Sequence, residues 1–139
     1  MDKIFKIAGG LFAVIVIACF VVFFSGAPQH GAPTPSGSTV PVSSTTIYYF
    51  YGAECPHCHN IKPFMDNITQ KYPEADIQVL EVWHNQTNQD IYTQANTAAG
   101  LSTPPGVPEI VLGKTVLVGE KDIPDKLEAL VQDYLKKKQ

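Results

Sequence analysis

The sequence predicts an α/β domain in which a small mixed sheet carries helices on both faces, in the element order βαβαββα. Two observations support this prediction. Apolar, β-branched runs alternate with stretches whose apolar residues recur at helical spacing. The last two apolar runs are separated only by a tight turn. We expect this domain at residues 45–139, after a transmembrane signal-anchor at residues 1–24 and a linker at residues 25–44.

The apolar run at residues 7–24 contains no charged residue and is long enough to cross a bilayer as a helix. Lys3 and Lys6 precede it and the next lysine is Lys62, so the positive-inside rule places the following chain outside the cytoplasm. A cleaved signal peptide is the alternative, but the run exceeds the usual length of a signal's apolar region. The sequence therefore favours a single-pass membrane anchor with an extracytoplasmic domain.

The segment at residues 25–44 is rich in Pro, Gly, Ser and Thr and carries no charge. Such a composition cannot bury enough apolar surface to fold, so we expect a flexible linker. The whole chain has a formal net charge of −3, and its basic run at residues 136–138 lies where a final helix would end. A chain without a basic patch argues against nucleic acid as a partner.

The first half of the domain shows two strands around one helix. The strands are predicted at residues 45–51 and 77–83, both apolar runs bounded by turn formers, and we expect their aromatic residues, Trp83 included, in the core. Between them, apolar residues at helical offsets form one continuous stripe. This stripe consists of Ile61, Phe64, Met65, Ile68 and Tyr72.

The second half contains a helix, a hairpin and a last helix. Residues 88–99 are predicted to form a helix that ends at Gly100, a residue type common at C-caps. Residues 109–112 and 115–118 are two strands of a tight hairpin. We expect Asp122 to be the N-cap of the last helix. The apolar face of that helix consists of Leu127, Leu130, Val131, Tyr134 and Leu135.

The segment Cys55-Pro56-His57-Cys58 is the candidate for chemistry. It directly follows the first strand, and Pro56 stands where proline is favoured, at the first position of a helix. Cys55 then lies at the helix N-terminus, where unpaired N–H groups and the helix dipole stabilise a thiolate. Cys58 follows one turn later, buried and close enough to form a disulfide. We expect Cys55 as an exposed attacking thiol and Cys58 as the thiol that resolves it.

Three other interpretations fit the same residues. With His59 the motif becomes C-x-x-C-H, which attaches c-type haem, although such proteins are mostly helical and this chain has four strand signals. Cys55 and Cys58 with His59 or His84 are a ligand set for copper or zinc. A purely structural disulfide is the weakest alternative, because so short a loop adds little stability. Haem and metal binding stay open as alternatives.

Beyond the cysteines, the sequence resembles the thioredoxin-like superfamily over residues 45–135. Pro63 stands eight residues after Cys55, where thioredoxins carry a kinking proline inside the helix. The segment Gly106-Val107-Pro108 is similar to the Gly-Ile-Pro of thioredoxins, whose proline peptide is cis and faces the dithiol. Gly119 fits the end of their last strand. The resemblance implies a thioredoxin-like fold.

The Pro56-His57 dipeptide is similar to that of the DsbA-type disulfide oxidases, and so is Val107 before the proline. This resemblance implies that Cys55 is the nucleophile and Cys58 the resolving thiol. We expect Pro56 and His57 to tune the reduction potential of the pair, since a ring N–H beside the first thiolate stabilises the reduced form and makes the disulfide a stronger oxidant. The resemblance also implies that the backbone of Val107 and Pro108 pairs with an extended substrate segment.

Three features depart from the DsbA pattern. Only residues 83–107 lie between the second strand and the proline, so the large helical insertion is missing and any substrate groove is shallower. Tyr49 stands where the relatives have a buried acid that serves proton transfer to the second thiol, which leaves water or Glu54 for Cys58. Glu54 also stands directly before the first cysteine, where the negative charge of a carboxylate disfavours the thiolate that His57 favours.

The sequence therefore predicts a membrane-anchored, extracytoplasmic thiol:disulfide oxidoreductase that exchanges disulfides with protein substrates. The compartment and His57 favour oxidation of substrates, while Glu54 leaves reduction or isomerisation open. The two sulfurs carry the electrons, so no cofactor and no metal is needed. A membrane redox partner, by resemblance a thiol oxidase, is expected to recycle the dithiol.

Overall fold

The computed structural model describes residues 41–139, so the predicted anchor at residues 7–24 and most of the predicted linker lie outside the described residues. Across residues 41–139, no helix combines the length and the apolar character needed to cross a membrane. The predicted order βαβαββα is confirmed. The elements are β1 (Ile47–Tyr51), α1 (Pro56–Lys71), β2 (Ile77–Glu81), α2 (Gln86–Ala99), β3 (Glu109–Leu112), β4 (Thr115–Val118) and α3 (Gly119–Lys138).

The four strands form one mixed sheet, as predicted, and their order in it is β2-β1-β3-β4. β1 pairs in parallel with β2 and antiparallel with β3, and β3 pairs antiparallel with β4. β1 is therefore an interior strand, covered by helices on both faces. A strand buried on both faces has no polar side, which explains its continuous apolar run IYYFY.

Successive side chains of β1 point into two separate cores, because strand side chains alternate between faces. Ile47 and Tyr49 belong to the core shared with α1 and α3, whereas Tyr48 and Phe50 belong to the core shared with α2. The first core holds Ile61, Met65 and Ile68 of α1 and Ile123, Leu127 and Val131 of α3. The second core receives Ile91, Tyr92, Ala95 and Ala99 of α2. Helices on both faces are thus confirmed.

Two helices begin earlier than predicted. α2 begins at Gln86 because the Asn85 side chain caps it and accepts the N–H of Asn88 at 3.1 Å. α3 begins at Gly119, so the prediction that Asp122 is its N-cap is wrong. Asp122 instead lies in the first turn, where a negative charge interacts favourably with the helix dipole.

Trp83 is not a core residue, contrary to the prediction. β2 ends at Glu81, and the carboxylate of Glu81 accepts the N–H groups of Trp83 at 2.7 Å and of His84 at 2.9 Å. This turn leaves the Trp83 side chain 46% exposed. Its ring lies against Gly52, where an added Cβ would come within 2.3 Å of the indole. Trp83 therefore covers the chain between β1 and α1.

Candidate functional site

The start of α1 has the geometry that the sequence predicts. Cys55 is the N-cap residue, with extended backbone angles (φ −75°, ψ 113°), and Pro56 occupies the first turn. The Sγ atom of Cys55 accepts the N–H of Cys58 at 3.3 Å. One of the N–H groups that a helix start leaves without an intrahelical partner therefore points at this sulfur. The Cys55 sulfur is therefore the capping acceptor of this helix.

Both cysteines are free thiols, and both are buried. Cys55 is only 3% exposed, so the expectation of an exposed attacking thiol is wrong for this structure. Cys55 is covered by a residue that is far from it in the sequence. Its thiol donates to the carbonyl oxygen of Val107 at 3.6 Å. Burial, followed by the contact with Cys55, raises the pKa of the Cys58 thiol to about 12. Cys58 is therefore a protonated thiol at neutral pH.

The segment before β3 meets the dithiol. The peptide between Val107 and Pro108 is cis, as the resemblance implied. The Val107 carbonyl is the group that receives the Cys55 thiol. The structure thus brings together five of the six predicted site residues, which are Cys55, Pro56, Cys58, Val107 and Pro108.

His57 points across to α3. Its Nδ1 atom lies 3.1 Å from a carboxylate oxygen of Glu120, and Asn60 donates to the same oxygen at 2.8 Å. The hydrogen bond from Asn60, and then the one from His57, lowers the pKa of Glu120. The sequence offered no signal for this contact, because an acid after Gly119 indicates only a helix start. Glu120 therefore holds the ring of the predicted tuning residue.

Glu54 is paired with His84. The Nε2 atom of His84 lies 2.8 Å from both carboxylate oxygens of Glu54, and the side chains are 64% exposed. This hydrogen bond raises the pKa of His84. Among the hydrogen bonds of residues 41–139, Glu54 makes none with Cys58. The carboxylate that follows β1 is thus turned towards the exposed end of β2.

A cavity of about 270 Å³ opens beside Cys58, between α1 and the edge of the sheet. Tyr49, at the position of the missing acid, lines it, and burial followed by the neighbouring Cys58 and Cys55 raises the pKa of this phenol. Tyr49 therefore stays protonated and does not replace the acid. The other lining residues are Tyr51, His59, Lys62, Met65, Asp66, Thr69 and Val79.

The histidines of the haem and metal alternatives have other partners. The Nε2 atom of His59 lies 2.7 Å from the carbonyl oxygen of Ala53, and His84 is paired with Glu54. Within the part of the chain that the structure describes, no three His, Cys, Asp or Glu side chains are grouped as a metal ion would require. What the site presents is two thiols, a helix start and a backbone carbonyl.

The comparison with protein families agrees with this geometry. The family model described as Thioredoxin matches residues 38–132. The chain belongs to the thioredoxin family. In this thioredoxin-family chain the adjacent thiols of Cys55 and Cys58 are consistent with a thiol redox function in general. No curated protein matches the chain.

Solved structures similar to this thioredoxin-family chain include three glutaredoxins. The holo form of glutaredoxin C1 from Populus tremula x tremuloides shares 17% identity at a TM-score of 0.43, covering 66% of this chain and 82% of that chain. Mutated buckwheat glutaredoxin shares 18% identity at a TM-score of 0.42, covering 65% and 76%. The buckwheat glutaredoxin–glutathione complex shares 18% identity at a TM-score of 0.42, covering 66% and 76%.

Sequence reasoning missed the buried acid of this thioredoxin-family chain. Glu109 directly follows Pro108 and is fully buried at the start of β3. The only signal in the sequence was a single carboxylate at the head of the apolar strand EIVL. Nothing in that pattern distinguished a buried acid from one at an exposed strand end.

Proposed function

We propose that this chain is a thiol:disulfide oxidoreductase of the DsbA type, which donates disulfides to protein substrates through Cys55 and Cys58. One observation carries the proposal. The Cys55 sulfur lies at the start of α1, between the N–H of Cys58 and the carbonyl of Val107. An N–H directed at the sulfur stabilises a thiolate there, and a stabilised thiolate makes the corresponding disulfide a better oxidant.

The reaction in the donor direction begins with a disulfide between Cys55 and Cys58. A substrate thiolate attacks the Sγ atom of Cys55, a mixed disulfide forms, and Cys58 leaves as a thiolate. A second substrate thiolate then attacks the substrate sulfur of the mixed disulfide and releases Cys55. The substrate gains one disulfide, and its two electrons and two protons pass to the pair of thiols.

The surroundings of Cys58 fit a leaving sulfur that must be protonated. Because the pKa of the Cys58 thiol is raised to about 12, this sulfur takes up a proton at neutral pH once it has left. The cavity of about 270 Å³ beside it gives water access for that proton. Water therefore serves as the proton source and acceptor in this proposal, where relatives use a buried acid.

Substrate binding in this proposal uses the backbone around the cis peptide. The Val107 carbonyl contacts the Cys55 sulfur and Pro108 follows it across the cis peptide, which supports pairing of this backbone with an extended substrate segment. Since the thiol of Cys55 is covered in the free protein, the substrate has to displace its contact with the Val107 carbonyl. His57 is proposed to tune the potential of the pair, with its ring held by Glu120 at 3.1 Å.

We also propose that the enzyme works outside the cytoplasm, anchored by residues 7–24, and that a membrane thiol oxidase re-oxidises its dithiol. The uncharged apolar run and the lysines before it support this location. Membrane fractionation followed by N-terminal sequencing tests it. The anchor predicts a detergent-soluble protein that retains residue 1, whereas a soluble form that starts near Pro28 would contradict it.

Trapping of mixed disulfides tests the assignment of the two thiols. In a Cys19→Ser background, the Cys58→Ser variant should accumulate disulfide-linked complexes with substrate proteins, because the resolving thiol is gone. Non-reducing electrophoresis with mass spectrometry of the linked peptides is the measurement. The matched control, Cys55→Ser, should accumulate none. Equal trapping by both variants, or full activity of Cys55→Ser, would overturn the assignment.

A further inference from the structure

Glu109 is a fully buried acid next to the site, and the reaction as proposed does not use it. It is the first residue of β3 and directly follows Pro108. Within residues 41–139, neither of its carboxylate oxygens has a hydrogen-bond partner of normal geometry. A buried polar group without a partner carries a considerable free-energy cost, so its presence calls for an explanation.

Two side chains of α2, Asn96 and Tyr92, surround this carboxyl group. Asn96 donates through Nδ2 to the carbonyl oxygen of Tyr92 at 3.0 Å, which leaves its buried Oδ1 atom without a partner among the described residues. The site therefore contains three unpartnered acceptor oxygens, two on Glu109 and one on Asn96. A proton on Glu109 would convert one of these acceptors into a donor, so the surroundings favour the neutral acid.

The same group of residues is connected to the attacking sulfur. The hydroxyl of Tyr92 accepts the N–H of Gly106 at 3.1 Å. The next residue, Val107, accepts the thiol of Cys55 at 3.6 Å. Glu109 also acts directly on Tyr92, since burial and then the charge of Glu109 raise the pKa of that phenol. Three contacts thus connect the buried acid with the reactive thiol: Glu109 with Tyr92, Tyr92 with Gly106, and Val107 with Cys55.

The titratable groups that pack around Glu109 are few. α2 contributes Tyr92, while its one charged residue, Asp90, accepts a hydrogen bond from Gln86 one turn earlier. β1 contributes Phe50, which pairs with Glu109 in the sheet, and Tyr48 on the same face. The facing residues of β4 are the uncharged Val116 and Val118.

We propose that Glu109 is a positioning residue for the dithiol, whose negative charge strengthens, through Tyr92, the hold on the Gly106–Pro108 segment that keeps the Val107 carbonyl over Cys55. An ionised Glu109 needs hydrogen-bond donors, and the Tyr92 hydroxyl is one of the two side-chain donors beside it. A hydroxyl that donates to the carboxylate still accepts through its lone pairs and becomes the stronger acceptor for the Gly106 N–H, so the segment that covers Cys55 is held more firmly. This inference rests on the proposed function, because it gives Glu109 a role in the same exchange reaction.

The test is the rate at which the reduced protein reacts with oxidised glutathione. The Cys55 thiolate attacks glutathione disulfide and releases one glutathione thiol, and Cys58 then displaces the second to form the protein disulfide. Rates are compared between the full-length wild type and Glu109→Gln from about pH 5.5 to about pH 8.5. Because thiol ionisation affects both proteins, the ratio of their rates isolates the contribution of Glu109.

The ratio of the Glu109→Gln rate to the wild-type rate should be near one at low pH. Above neutral pH it should rise by about twofold to tenfold, because ionised Glu109 slows the wild type by strengthening one ordinary hydrogen bond that holds the segment over Cys55. The amide of Gln is neutral and brings its own donor, so it mimics the protonated acid at every pH. The control Glu74→Gln, an exposed acid, should give a flat ratio.

A second variant keeps the proposal testable if Glu109→Gln does not fold. Tyr92→Phe removes the hydroxyl that holds Gly106, so it should react at least as fast as Glu109→Gln and should lack the slowing of the wild type above neutral pH. A flat ratio for Glu109→Gln, or an unchanged pH profile for Tyr92→Phe, would overturn the role of Glu109 while leaving the thiol chemistry intact. A protein that does not react with oxidised glutathione at any pH would overturn the proposed function itself, and this inference with it.

Discussion

The buried carboxyl of Glu109 makes folding stability depend on pH. Burial raises its pKa from an ordinary value of 4.5 to about 7, against the smaller lowering effects of Tyr92 and Asn96. Between these two values the folded chain binds a proton that the unfolded chain has lost. Stability therefore falls as pH rises through this range, and it is lowest above about pH 7.

The Glu109→Gln variant should remove this loss of stability. We expect it to unfold like the wild type near pH 4, where both side chains are neutral. Near pH 8 it should be more stable, on the order of 3–4 kcal/mol, since one pKa unit corresponds to about 1.4 kcal/mol. Urea unfolding at the two pH values is the measurement. An equal stability difference at both values would contradict the burial of an ionisable acid.

A smaller prediction concerns the pKa of His84 in its pair with Glu54. The hydrogen bond to Glu54 raises the pKa of His84, so the Glu54→Gln variant should titrate His84 at a lower pH. Proton NMR of the imidazole resonances measures this shift directly. In the wild type the pair stabilises the fold while His84 is protonated, and this stabilisation is lost as pH rises through the His84 pKa. A His84 titration that is the same in both proteins would show that the contact is not maintained in solution.

The contact between Gly52 and Trp83 is a property of how β1 and β2 end. The φ angle of Gly52 is not positive, so alanine is compatible with its backbone, and only the indole opposes an added Cβ, at 2.3 Å. We expect Gly52→Ala to destabilise the fold by about 1–3 kcal/mol, as overpacking does.

A double-mutant cycle identifies the source of that cost. In a Trp83→Ala background the Gly52→Ala change should be nearly neutral, because the opposing ring is gone. Chemical unfolding of the four proteins gives the coupling free energy. The same cost in both backgrounds would place the strain in the backbone of the β1–α1 connection.

The elements of this fold could be predicted to the extent that they depend on local patterns. The stripe of α1 and the apolar runs of the strands are set by residues close in sequence, so element type and order were correct. Two helices start earlier than predicted, one after the Asn85 cap and one at Gly119, because capping depends on the φ and ψ angles of a few residues. Trp83 was misplaced because its exposure follows from the turn that Glu81 forms.

The candidate site was predictable in its residues and less so in its surroundings. The start of α1 follows from Cys55 and Pro56, which are adjacent in the sequence. The burial of Cys55 depends on Val107, which lies 52 residues later, and no local pattern reports such a contact. The burial of Glu109 likewise depends on how α2 packs on the sheet.

The topology of the whole domain explains why the thiols and the cis peptide meet. β1 and β3 are antiparallel neighbours, with Phe50 opposite Glu109. The end of β1 therefore lies beside the start of β3. The chain that leaves β1 enters the Cys55 helix start, and the chain that enters β3 passes through Val107 and Pro108. The order of the strands thus places the predicted nucleophile and the predicted substrate segment at the same end of the sheet.

The reduction potential of the Cys55–Cys58 pair tests the central claim most directly. The full chain would be equilibrated with glutathione buffers, and the reduced fraction would be read from the mass added by a thiol alkylating agent. A disulfide donor predicts one two-electron transition near about −120 mV. A transition near about −270 mV, the range of reducing thioredoxins, or the absence of any two-electron transition would contradict the account.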